Sequence, residues 1–138
     1  MQAILPHLFL GNALDARDLR RLHELQIAAV IDVALEEPPA QLSREIAYCR
    51  FPLTDGGCNP PWLLRAAIET TLSLLDESIT TLVACSGGMS RSPSIVAAVL
   101  SIAHRREASE CLLELVRNHP HEVSPPLWTD VKELVDNW

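Results

Sequence analysis

The chain has 138 residues, enough for one domain with a real core, since domains cluster near ~100–150 residues. Apolar residues make up 48% and charged residues 21%, which excludes disorder as the main state. The formal net charge is −7 and Lys132 is the one lysine, a balance that argues against a broad nucleic-acid or anionic-membrane surface.

In chain order, residues 3–10 (AILPHLFL) read as a short strand broken by Pro6 and ended by Gly11. Asn12 is placed to cap a helix over 13–26, in which Ala16, Leu19 and Leu22 recur at helical spacing. The β-branched run 27–34 (IAAVIDVA) predicts a strand buried on both faces. A loop at Glu36-Glu37-Pro38-Pro39 leads to a further strand over 46–52 (IAYCRFP), stopped by Pro52. Asn59 and Pro60 stand where a helix cap and its first residue belong, and Leu64, Ile68, Leu72 and Leu75 stripe a helix over 61–77. Residues 79–84 (ITTLVA) predict a third buried strand. Ser92 and Pro93 open a helix to Arg105 that is apolar all round and so belongs in the centre of the molecule. Two more helices are predicted over 107–118 and 126–136. Strands alternating with helices predict an α/β fold: a single domain over 1–138 with a central, mostly parallel sheet flanked by helices.

The longest nearly unbroken apolar stretch, Ile95 to Ala103 with Ser101 inside it, is too short for a bilayer span, which needs ~20 residues. No lysine or arginine precedes Arg17, so the charged region of a signal peptide is missing. Cys49, Cys58, Cys85 and Cys111 form no C-x-x-C pair. These features predict free thiols in a reducing cytoplasm, with no nucleic-acid and no membrane partner.

Chemistry concentrates in residues 82–95, LVACSGGMSRSPSI. A buried strand runs into a loop with Gly87 and Gly88, which let the backbone curl so that successive N–H groups point inward. The following helix start adds unpaired N–H groups and the positive end of a dipole. Arg91 supplies a planar fork matching two oxygens of a phosphate, and Ser90 and Ser92 add hydroxyls. Cys85 stands at the mouth of this anion cradle, in a field that favours a thiolate. The C-x5-R spacing alone is weak, because Cys111 and Arg117 repeat it in LLELV helical context, where Cys111 belongs to the apolar stripe. A second loop, Thr54-Asp55-Gly56-Gly57-Cys58-Asn59, should meet the first above the C-terminal strand ends. Asp55 is then a candidate general acid, against a plain role as a turn aspartate. Asp32 is the rival carboxylate, with hydrogen bonding inside the sheet as its expected role.

With these residues in view, the chain resembles a compact dual-specificity protein phosphatase of the cysteine-dependent protein tyrosine phosphatase superfamily. ILPHLFLGNALDARDLRRLHELQIAAVIDV resembles the opening strand, helix and strand of that family, and FPLTD the strand leading to its general-acid loop. CSGGMSRS matches the signature loop, and Asp55 lies 30 residues before Cys85, the order the family uses. The family usually has histidine before the nucleophile, where this chain has Ala84, and often proline-asparagine near the C-terminus, where it has Pro125-Pro126.

The resemblance implies hydrolysis in two displacements. Cys85 attacks phosphorus, while Arg91 and the backbone N–H groups of Ser86, Gly87, Gly88, Met89, Ser90 and Arg91 hold the phosphoryl oxygens. Asp55 protonates the leaving oxygen and then activates water, and Ser92 stabilises the departing thiolate. The implied substrates are phosphotyrosine and phosphoserine or phosphothreonine of a protein, or a small aryl phosphate. No metal and no cofactor are implied, and His7, His23, His104, His119 and His121 form no metal set with the cysteines or carboxylates. His119-Pro120-His121 reads as a solvated turn. Two alternatives stand: a phosphoprotein-binding module with weak turnover, motivated by Ala84, and a sulfur- or arsenate-handling thiol enzyme.

Overall fold

The computed structural model of the chain describes residues 1–118 and 120–138, so the expected turn at His119 falls outside the described residues. The first apolar run forms two strands, β1 (Gln2–Leu5) and β2 (Leu8–Gly11), paired antiparallel. Pro6 has no N–H for a ladder, and the chain reverses over Pro6-His7. The helix expected over 13–26 is also two, α1 (Ala13–Arg17) and α2 (Leu19–Glu24). Asp18 divides them, with its carboxylate accepting from the Arg21 N–H and so capping α2. A short acidic side chain that can bond nearby backbone favours a cap over a helix interior. Asn12 caps α1 as expected, in a reciprocal box with Asp15.

The remaining strands are β3 (Ala29–Asp32), β4 (Ala47–Arg50) and β5 (Thr81–Ala84). The sheet order is β1-β2-β5-β3-β4, and every pairing except β1–β2 is parallel, as the alternation of strands and helices predicts. Alternate residues face opposite sides. Leu8, Leu10, Ile31 and Val83 join the larger core, while Val30, Leu82 and Ala84 pack with Ala16 and Leu22 beneath α1 and α2.

The other face carries α3 (Pro61–Asp76), α4 (Arg91–His104), α5 (Ala108–Asn118) and α6 (Pro125–Asp136). Helix α4 touches the other three and β5, and every residue from Arg91 to Ser101 is buried, so it is the central helix its all-round apolarity predicts. Burying Ile95, Val96, Val99 and Leu100 stabilises by ~1.5–3 kcal/mol each, which offsets a polar first turn held out of water. The start of α3 differs from expectation. Pro60 is its cap and Pro61 its first residue, and Asn59 leaves the helix uncapped. The Asn59 side chain accepts from the Thr54 N–H at 2.9 Å and donates to the carbonyls of Thr54 and Gly56, closing the 54–59 loop on itself.

Candidate active site

The loop that follows β5 is shaped by its neighbours. The carbonyls of Ser86, Met89 and Ser90 accept from the N–H groups of Ala13, Glu122 and Ser94. Gly88 has φ +73, and a side chain there would meet the Gly11 carbonyl oxygen at 3.1 Å. Only glycine suits both demands. Gly87 differs from expectation, because it has open space around it and its φ lies outside the left-handed region.

Cys85 is buried, and its Sγ accepts from the Gly88 N–H at 3.2 Å and lies 3.1 Å from the Ser92 hydroxyl. Ser92 Oγ also stands 3.2 Å from the Gly11 carbonyl. That hydroxyl has one proton and two acceptors in reach, so it can serve the carbonyl while the sulfur is protonated and turn to the sulfur when it is not.

Arg91, only 4% exposed, carries five N–H donors, and their assignment defines the site. Nη1 donates to Glu36 Oε1 at 2.5 Å and to the Leu53 carbonyl at 2.9 Å. Nη2 donates to Glu36 Oε2 at 2.6 Å. Nε is buried without a partner among the described residues. The two donors left, Nε–H and the second Nη2 N–H, lie along one edge of the guanidinium. That edge is a fork for two oxygens. Burial pushes the guanidinium pKa down, but the hydrogen bond and charge of Glu36, with Cys85 and Asp55 adding to them, outweigh it and hold it above the ordinary value. The Glu36 carboxyl is held below the usual carboxylate range by its hydrogen bond to Arg91.

These groups share a cavity of about 500 Å³, whose walls include Cys85, Ser86, Gly87, Met89, Arg91 and Asp55. Asp55 comes from the other loop, and the Ser90 hydroxyl donates to its Oδ1 at 2.5 Å. The two glycine loops therefore meet above the strand ends. Ser90, read from the sequence as a cradle hydroxyl, spends its proton on Asp55 instead. Asp32 is committed elsewhere, accepting from the Ala34 N–H at 3.1 Å and the Tyr48 hydroxyl at 2.5 Å. Cys58 lines a separate cavity of about 430 Å³ between its loop and α6, and Cys85 is not in the wall of that cavity. Cys111 is fully buried in the core. Ala84 faces α1, and the space beside it amounts to about 10 Å³, too little for an imidazole without repacking.

Two partners were not anticipated from the sequence: Glu36 and the Leu53 carbonyl. Glu36 stands just past β3, at the C-terminal edge of the sheet where ligand loops gather, and that placement was the available signal.

No family model matches the chain. It is 32% identical over 101 residues to human dual specificity protein phosphatase 15, an alignment covering 70% of this chain and 32% of that protein. The crystal structure of DUSP15 superposes with a TM-score of 0.81 at 25% identity, covering 98% of this chain and 86% of that one. Over these 101 residues the chain is similar to the dual-specificity phosphatases. It spans about a third of the length of the curated relative. Human DUSP28 shares the phosphatase fold at a TM-score of 0.88 and 20% identity, covering 99% of this chain and 96% of that one. No helix among the described residues is long and apolar enough to cross a membrane.

Proposed function

We propose that the chain hydrolyses phosphomonoesters through a phosphocysteine intermediate, without a metal, on phosphotyrosine and on phosphoserine or phosphothreonine of proteins. The observation that carries this reading is the unused edge of Arg91, a two-donor fork in the cavity that holds the Cys85 sulfur. A phosphate seated on that fork and on the loop's backbone N–H groups has its phosphorus in reach of Sγ. The sulfur attacks in line, and the ester oxygen departs toward Asp55, which protonates it. Asp55, then a carboxylate, takes a proton from the water that attacks the phosphocysteine. Ser92 turns its proton to the sulfur as the thiolate leaves. The loop from Ser86 to Ser90 carries no charged side chain, and Glu36, Asp55 and Glu122 stand around the cavity, an arrangement that favours a singly phosphorylated peptide over a polyanion.

The test is hydrolysis of p-nitrophenyl phosphate in excess chelator, followed by a panel of phosphopeptides. The reading requires turnover by the unaltered protein and at least 10³-fold less by Cys85→Ser, on the order of what a lost nucleophile removes. Phosphopeptide binding without turnover would instead favour a binding module, and a phosphoinositide preferred over every peptide would overturn the substrate class.

A further inference from the structure

We infer that Ser90 is a positioning residue that fixes which oxygen of Asp55 carries the proton. The inference rests on the phosphatase reading above and goes beyond it.

Ser90 precedes the first residue of α4, where a serine hydroxyl ordinarily accepts from the N–H of the second or third helical residue. Here the third residue is Pro93, which has no N–H, and the Ser90 side chain makes no capping bond. The hydroxyl is therefore available, and Ser90 is only 6% exposed. It accepts from the Ser124 N–H at 2.9 Å, just ahead of α6, and donates to Asp55 Oδ1 at 2.5 Å. One buried group thus joins the anion loop, the approach to α6 and the carboxyl-bearing loop. Asp55 is itself exposed, and an exposed aspartate turns freely about its side-chain bonds. The tie removes that freedom.

It also makes the two carboxyl oxygens unequal. Oδ1 is occupied as an acceptor, so the acidic proton resides on Oδ2. In the first displacement a sulfur lone pair forms the S–P bond while the P–O bond breaks. Its electron pair goes to the ester oxygen, which receives the proton from Oδ2. In the second, a water oxygen forms the new O–P bond, the S–P pair returns to sulfur, and the water's proton goes to Oδ2. The Ser90 proton stays on Oγ throughout and is not available to a phosphoryl oxygen.

The experiment is a double-mutant cycle read on two esters. Ser90→Ala should lower kcat/KM for a phosphoserine peptide about tenfold, a part of the ~10²–10⁴-fold that a positioned acid supplies. For p-nitrophenyl phosphate, whose leaving group needs little protonation, the loss should stay under about twofold. Ser90→Thr, which keeps the hydroxyl, should restore the peptide rate. In an Asp55→Asn background, Ser90→Ala should change neither ester, since the oxygen it positions no longer carries a proton. Equal losses on both esters, or an undiminished loss in the Asp55→Asn background, would show that Ser90 serves the phosphate or the fold and would overturn the inference alone. Absence of p-nitrophenyl phosphate turnover by the unaltered protein would overturn the phosphatase reading, and this inference with it. Thermal melts accompany each variant; if Ser90→Ala does not fold, Ser90→Cys, with its weaker donor, is read on the same pair of esters and must show the same selective loss.

Discussion

The spent donors of Arg91 decide what the proposed fork can hold. Glu36 and the Leu53 carbonyl take the far end of the guanidinium, and Nε has no partner among the described residues. Glu36→Gln keeps the size of the side chain but offers one acceptor where two were used, and sets an N–H₂ against Nη2. We expect the affinity for inorganic phosphate to fall about tenfold, in line with a charge-assisted hydrogen bond on a partly exposed carboxylate. Calorimetric titration measures this, and unchanged affinity would remove Glu36 from the role. Arg91→Lys should be nearly inactive, because a point charge reproduces neither the fork nor the bond to Leu53. That Cys85 and Arg91 share one loop was legible in the sequence because seven consecutive residues hold both. Glu36 was not, because its contact spans 55 positions and its own segment, EEPP, reads as any acidic loop.

Among the elements, the two glycine loops divide their conformational demands unevenly. In the 54–59 loop the left-handed backbone falls on Cys58, at φ +69, while Gly56 and Gly57 adopt ordinary angles. Placing a non-glycine there costs about 1–2 kcal/mol. Cys58→Gly should therefore hold or raise the melting temperature despite the greater freedom it gives the unfolded chain, with turnover unchanged; a clear fall in Tm would refute this. Gly88→Ala works in the other direction. It combines φ +73 with a 3.1 Å approach to the Gly11 carbonyl, and should destabilise by about 1–3 kcal/mol and disturb the sulfur's N–H contact. Gly87→Ala, in open space, should be tolerated. Adjacent glycines give no sign in the sequence of which one bears the strain. Nor does periodicity reveal that 13–26 is two helices, since Ala16 and Leu22 face the same core on either side of the break at Asp18. The central helix was legible because nothing but burial explains so long an apolar run.

For the molecule as a whole, the ion pair between Glu36 and Arg91 links the site to acid stability. The Glu36 carboxyl is depressed by its hydrogen bond to Arg91, so the folded state binds that proton less readily than the unfolded state. Its contribution is complete above the usual carboxylate range and is lost as pH falls through the lowered value. Urea unfolding across that window should show a steeper loss in the unaltered protein than in Glu36→Gln; parallel curves would show that the pair does not stabilise the fold.

The place of β5 in the sheet carries a kinetic consequence. It is the middle strand, with β2 on one side and β3 on the other, and it launches the sulfur directly. Its amides open only when the sheet does, so Val83 and Ala84 should exchange with deuterium near the global unfolding rate. The segment carrying Asp55 is a surface loop held by one asparagine and one serine. Its amides should exchange orders of magnitude faster. A deuteron or a protease therefore finds the carboxyl side of this site long before it finds the sulfur side.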